Sequence, residues 1–325
     1  MRNRELFDVY GMRLDEYLGL LTCVNENYLR STRGVLAPMC TELDRFCPYS
    51  LITVGSDGKK ERHPQSRTEI VYLFAKQEMA PSAETILNIF KQTTGHDYFY
   101  ETSEGQPMVV CLDQKTPLSY AFNNPRLVYP DRILNSVLVL GDENIHLKSR
   151  LKVLEEMTGP EGGKIRREMR QQRNEYGKAC RAATYRGKTL FDSDIGMQYY
   201  DESQEGYALG FKTSFLRLMQ RTLDLLVNDG IKKYEIDIRQ MREMPTSTLD
   251  RIRYLQKIGW IKSGNKGVVA AQESYLWFLR EYHKAQEAYK NRGTGVNVPY
   301  NSSEFDKHRL DMFEFVSETT DYKLA

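Results

Sequence analysis

The chain has 325 residues and is nearly neutral, with 46 Lys plus Arg against 44 Asp plus Glu, and it is 40% hydrophobic. That excludes a long disordered chain, which would be poorer in apolar residues and further from neutrality, and 22 Gly with 5 Cys exclude collagen-like and disulfide-scaffold classes. The length fits roughly two domains, and a net charge of +2 argues against nucleic acid binding by the surface as a whole.

The opening MRNRELFDVYG is charged and lacks the apolar core of a secretory signal. Leu6, Tyr10, Leu14, Leu18, Leu21 and Leu29 recur largely at three- and four-residue steps, which predicts helix over 3–46. Pro38 is expected at a helix break or a helix start. From Pro48 the pattern changes. LITVGS at 51–56 and EIVYLF at 69–74 read as buried strands, and the polar GSDGKKERHPQSR between them reads as a hairpin-type connection. Ser82 is a suitable cap for a helix over 83–95 that Gly95 stops. DYFYE at 97–101 and PMVVCLD at 107–113 predict two more strands, and RILNSVLVLGD at 132–142 a strand or a helix.

The rest reads as mostly helical. Helices are predicted over 148–157, 165–186, 211–227, 246–261 with an interruption at Gly259, 268–289 and 302–316. GPEGG at 159–163 reads as a turn and 291–301 as a loop. Arg166, Arg167, Arg170, Arg173 and Lys178 crowd one helix. A solvated face with i,i+4 ion pairs is the reading preferred over one for RNA or another anionic substrate. The fold class expected is α+β, with a helical segment at 1–47, a small mixed-sheet unit at 48–145 and a helical region at 146–325.

Cys23, Cys40, Cys47, Cys111 and Cys180 are odd in number and form no CxxC pair, so neither a disulfide framework nor a zinc knuckle is signalled. A reducing, cytoplasmic setting is expected. No apolar run approaches the ~20 residues of a membrane span.

The stretch most informative about chemistry is Val54-Gly55-Ser56-Asp57-Gly58-Lys59-Lys60-Glu61-Arg62, followed by Ser66-Arg67-Thr68-Glu69. A strand ending in Gly-Ser exposes backbone N–H groups and a hydroxyl that can cradle a phosphate oxygen. Glycine at 55 and 58 lets a triphosphate approach the backbone, and Lys59 and Lys60 add positive charge. An ordinary hairpin loop is the alternative. The arrangement resembles the nucleotidyltransferase fold of the DNA polymerase β superfamily. That fold is marked by a Gly-Ser turn after the first strand and an acid-x-acid pair entering the next. More narrowly, it resembles the PII-uridylyltransferase-like and CBS-domain-associated nucleotidyltransferases. Residues 130–151 resemble the segment closing the transferase domain in that family, and 211–289 resemble its helical C-terminal domain.

The resemblance implies a Mg²⁺-dependent transferase that moves a nucleoside monophosphate from an NTP to a hydroxyl on a protein or small molecule. Gly55, Ser56, Gly58, Lys59, Lys60 and Arg67 would bind the nucleotide. Glu69 and Asp113 would hold the metal and act in catalysis. Two acids at i and i+2 of a strand point to one side and converge on a cation. Here the corresponding positions are Arg67 and Glu69, so a guanidinium stands where the first acid belongs. It cannot ligate a cation, although it can grip a phosphate bidentately. Losing one ligand of a two-metal site removes part of its transition-state stabilisation. The alternative expectation is therefore a catalytically degenerate relative that binds a nucleotide or a partner protein. A third reading is an interaction protein that works through its helical region.

Other constellations are weaker. His63 near the turn reads as a solvated loop residue rather than a ligand contact. Asp192 with Asp194, and Glu235 with Asp237, read as surface or capping residues. Trp260 and Trp277 are expected in the helical core.

Overall fold

The computed structural model describes residues 12–40, 48–63, 69–76, 78, 81–82, 85, 109–112, 130–160, 162–182, 190–191, 198–201, 207–210, 215–234, 238–261, 263–292 and 302–319. Among these the chain is mostly helical with two small sheets, the α+β class expected from sequence. It divides into two compact units. One comprises Leu20–Arg166 and Asn228–Ser247, and the other Met1–Gly19, Arg167–Val227 and Thr248–Ala325.

In the first unit, the part of helix α1 (Leu14–Cys40) from Leu20 onward supplies Leu21, Asn25, Thr32, Leu36 and Cys40 as buried positions, four residues apart except for one step of seven, so one stripe faces the core. The helix runs through Pro38 instead of breaking there. So close to the end, the missing N–H removes one hydrogen bond of the last turn, which a terminating helix tolerates. The unit's sheet contains β1 (Tyr49–Thr53), β2 (Ile70–Phe74), β3 (Val109–Cys111) and β4 (Val137–Gly141), in the order β3-β2-β1-β4. β1 pairs antiparallel with both β2 and β4, whereas β2 and β3 are parallel. All five residues of β1 and of β2 are buried. Both faces are covered, and this is why the two segments read as continuous apolar runs instead of alternating ones. Arg33 of α1 donates to the backbone carbonyls of Leu138 and Val139, occupying acceptors of the outer strand.

The 132–142 segment, read from sequence as strand or helix, is both. A short helix α3 (Pro130–Leu134) precedes β4. Gly141 ends β4 at φ 97°, and a Cβ there would fall 2.2 Å from the Tyr49 carbonyl oxygen. Asp142 then caps α4 (Glu143–Thr158) by accepting from the Asn144 N–H at 2.8 Å. This helix starts five residues before the predicted one because the Asp142 cap sits upstream of the apolar pattern. Arg150, buried in α4, donates to the carbonyls of Leu134, Met241 and Met244, tying α3 and α7 (Ile238–Glu243) to it. His146 packs beside it with Nε2 2.8 Å from the Ser136 hydroxyl. Burial, aided by the Arg150 charge, lowers the His146 imidazole to about 3.

The second unit is built on helices. α5 (Gly162–Ala182), α6 (Arg217–Tyr234), α8 (Thr248–Lys257), α9 (Asn265–Arg292) and α10 (Ser302–Thr319) contribute to it, beside a three-stranded antiparallel sheet of β5 (Leu190–Phe191), β6 (Gln198–Asp201) and β7 (Tyr207–Gly210). α9 carries the core. Tyr275, Leu276, Trp277, Phe278 and Leu279 are five successive buried residues, as expected for a helix enclosed on all sides. Phe278 stacks on Phe215 with centroids 4.1 Å apart, and Phe305 meets both rings edge-on. Trp277 is buried as expected, whereas Trp260 is half-buried. Gly259 stops α8 at φ 75°, where an L side chain is disfavoured. Asp224 is fully buried between Arg251 at 3.1 Å and Arg221 at 3.7 Å.

Several expectations fall largely or wholly outside the described residues: the 83–95 helix, the 97–101 strand, most of the 291–301 loop, Asp192 with Asp194, and Glu235 with Asp237. Among the described residues no helix is long and apolar enough to cross a membrane.

Candidate functional site

The β1–β2 connection begins as one helical turn, α2 (Gly55–Gly58), instead of a plain hairpin loop. Three features fix it. Gly55 adopts φ 64°, a conformation natural to glycine. The Val54 N–H donates to the Glu69 carbonyl at 3.0 Å, so the chain entering β2 is pinned beside the turn. Gly58 is buried, and a Cβ on it would lie 2.2 Å from the Asn135 carbonyl oxygen and 3.0 Å from that of Thr53. Gly58 thus lets the turn pack against the chain leading into β4, and its bare face points into protein.

Gly55 meets a side chain instead of backbone. A Cβ on Gly55 would lie 2.2 Å from Oε2 of Glu69, so the Glu69 carboxylate covers the bare backbone of the turn. The same oxygen accepts from Nη1 of Arg132 at 3.1 Å, with side chains 30% and 19% exposed respectively. Beneath, Asp57 is 1% exposed and accepts from Arg62 Nη1 at 2.6 Å. Burial pushes the Asp57 carboxyl up to about 6, against the opposing pull of Arg62; the nearby Glu69 charge adds to the rise. The Arg62 guanidinium lies 3.8 Å over the Tyr28 ring of α1.

Asn25 of α1 completes the clamp, donating from Nδ2 to the Lys60 carbonyl at 2.9 Å and accepting at Oδ1 from the Arg62 N–H at 3.2 Å. These bonds hold Lys60 at φ 58°, the only positive φ among described non-glycine residues. Ser56 and Lys59 are half-buried and Lys60 is exposed. His63, expected to be solvated, is buried instead, next to Arg62, whose N–H is held by Asn25 of α1.

The structure therefore brings Gly55, Glu69, Asp57 and Arg132 to one end of the sheet. Arg67 and Asp113 lie outside the described residues. Arg132, Asn25 and Tyr28 were not singled out from sequence, and Arg62 closed the quoted stretch without an assigned role. Arg132 is 63 residues from Glu69 and Asn25 is 35 from Lys60, so no local spacing could have signalled either.

Among the described residues no group of three or more His, Cys, Asp or Glu side chains converges as a metal site. The two carboxylates at the turn each face a guanidinium, one in the buried layer and one at the surface. Glu69, one of the two expected Mg²⁺ ligands, is thus engaged by Arg132, and the other, Asp113, lies outside the described residues. No family model matches the chain, and no curated protein matches its sequence.

Proposed function

We propose that this chain is a nucleotidyltransferase-like protein that binds the phosphates of a nucleoside triphosphate at the 55–60 turn without ordinary metal-dependent transfer, and acts as a nucleotide-binding or protein-interaction module. The observation that carries this reading is the Glu69–Arg132 pair over Gly55. The acid corresponding to the family's second metal ligand is engaged by a guanidinium, and the first is replaced by Arg67. The antiparallel β1–β2 pair with a Gly-Ser turn after β1 supports the fold reading. Cytoplasmic residence suits a nucleotide binder.

The transferase reading rests on Glu69, which retains a carboxylate at the turn. It requires the carboxylate to leave Arg132 for Mg²⁺, with Asp113 as the second ligand and a protein or small-molecule hydroxyl as acceptor.

Thermal shift with each NTP, with and without Mg²⁺, beside Arg67→Asp and Glu69→Ala variants, tests the proposal. Stabilisation of the native protein without Mg²⁺ is expected. Mg²⁺-dependent nucleotidyl transfer that Glu69→Ala abolishes would replace the binding reading with the enzyme. No response to any NTP in native protein or variants would leave an interaction role through the helical region.

A further inference from the structure

Arg132 has no role in the sequence motif, yet the fold delivers its guanidinium to the turn. Its neighbours Ile133 and Leu134 are fully buried, and the Asn135 carbonyl packs against the bare face of Gly58. The backbone carrying Arg132 is thus anchored on both sides of the turn's own framework, while the Arg132 side chain stays partly exposed. What it holds is a carboxylate lying on Gly55, where the backbone is open for lack of a Cβ. A guanidinium accepts a carboxylate and a phosphate with the same fork of N–H donors.

We propose that Arg132 is the phosphate-gripping residue of the turn and that Glu69 is a built-in competitor. In the free protein the Glu69 carboxylate occupies the place of a phosphate group on Arg132. A polyphosphate displaces it, and the freed carboxylate swings into solvent, which its partial exposure permits. This deepens the proposed function and rests on it: the ligand class is an oligophosphate anion, recognised through Arg132 before any contact with a base. Because the competing ion pair is partly solvated and weak, the latch tunes affinity without blocking the site.

The test is calorimetric titration of the full chain with inorganic triphosphate, free of divalent cations, for native protein, Glu69→Gln, Arg132→Gln, Arg132→Lys and the double variant Glu69→Gln/Arg132→Gln. Melting curves accompany each variant to verify folding. Glu69→Gln is expected to bind about threefold to tenfold more tightly, the gain set by removal of a partly exposed ion pair. Arg132→Gln is expected to lose tenfold or more, and Arg132→Lys to fall between. In the double variant the gain from Glu69→Gln should vanish, because there is no guanidinium left to release.

An equal gain in both backgrounds would mean that Glu69 acts only as a distant negative charge, and would overturn the latch. Binding that is unchanged by Arg132→Gln would overturn the role of Arg132 while leaving the phosphate-binding reading intact. Absence of binding in every protein, with ATP as well as triphosphate, would overturn both.

Discussion

Gly55 and Gly58 sit three residues apart in one turn, and alanine at each meets a different obstacle. At Gly55 the backbone has φ 64° and the added Cβ falls 2.2 Å from Glu69 Oε2. The left-handed conformation costs an alanine roughly 1–2 kcal/mol. The carboxylate is the far end of a flexible side chain and can rotate away, losing its Arg132 partner at up to about 1 kcal/mol for a partly exposed pair. Gly55→Ala should therefore destabilise by about 1–3 kcal/mol, and part of that should disappear in a Glu69→Ala background. At Gly58 the obstacles are the backbone carbonyls of Asn135 at 2.2 Å and Thr53 at 3.0 Å. Neither can rotate aside, so the turn must separate from β1 or from the chain entering β4. Such overpacking costs about 3 kcal/mol or more. Urea unfolding followed by far-ultraviolet circular dichroism measures both, with 1 kcal/mol corresponding to roughly 2–4 °C in Tm for a unit of this size. Equal costs for the two alanines, or a Gly55→Ala cost unaffected by Glu69→Ala, would refute the account of what each glycine accommodates.

The raised Asp57 carboxyl makes a signed prediction. Native protein takes up a proton near pH 6 that the unfolded chain takes up only near 3.8, so this group's contribution is fully present below about 3.8 and is lost as pH rises through about 6. The stability of native protein minus that of Asp57→Asn should therefore grow between pH 7 and pH 4 in urea titrations, and a difference that shrank would reverse the assignment. Asn25→Ala leaves the Lys60 carbonyl and the Arg62 N–H without their buried partner. A loss of about 2–3 kcal/mol in the same unfolding assay is expected, and a loss below 0.5 kcal/mol, at the scale of ordinary surface substitutions, would show that α1 does not hold the turn. Asp224→Ala removes the buried carboxylate that faces Arg221 and Arg251, for an expected loss of about 3–5 kcal/mol. Asp224→Ala combined with Arg251→Met should recover a substantial part of that loss, and no recovery would argue against a charge origin.

Elements whose signals are local were legible along the chain. Residues 51–53 and 70–74 of the two predicted strands lie in β1 and β2, because a strand buried on both faces favours apolar, β-branched and aromatic residues, whereas 55–56 are helical. α8 began at Thr248 and stopped before Gly259 because caps and a left-handed glycine act within one turn of helix. The Gly-Ser turn and Glu69 were legible for the same reason: strand ends and their flanking polar residues are set by neighbours in the chain.

Tertiary structure alone decided what those residues face. Gly58 packs against the Asn135 carbonyl, three residues beyond Arg132, and Arg132 meets Glu69 across 63 residues of chain. The clamp of Asn25 on Lys60 and Arg62 needs α1 laid along the turn. His63 is buried, and burial raises the Asp57 carboxyl. Ion pairing and desolvation depend on distance through space and on what excludes water. Neither quantity is encoded in the spacing of residues along the chain.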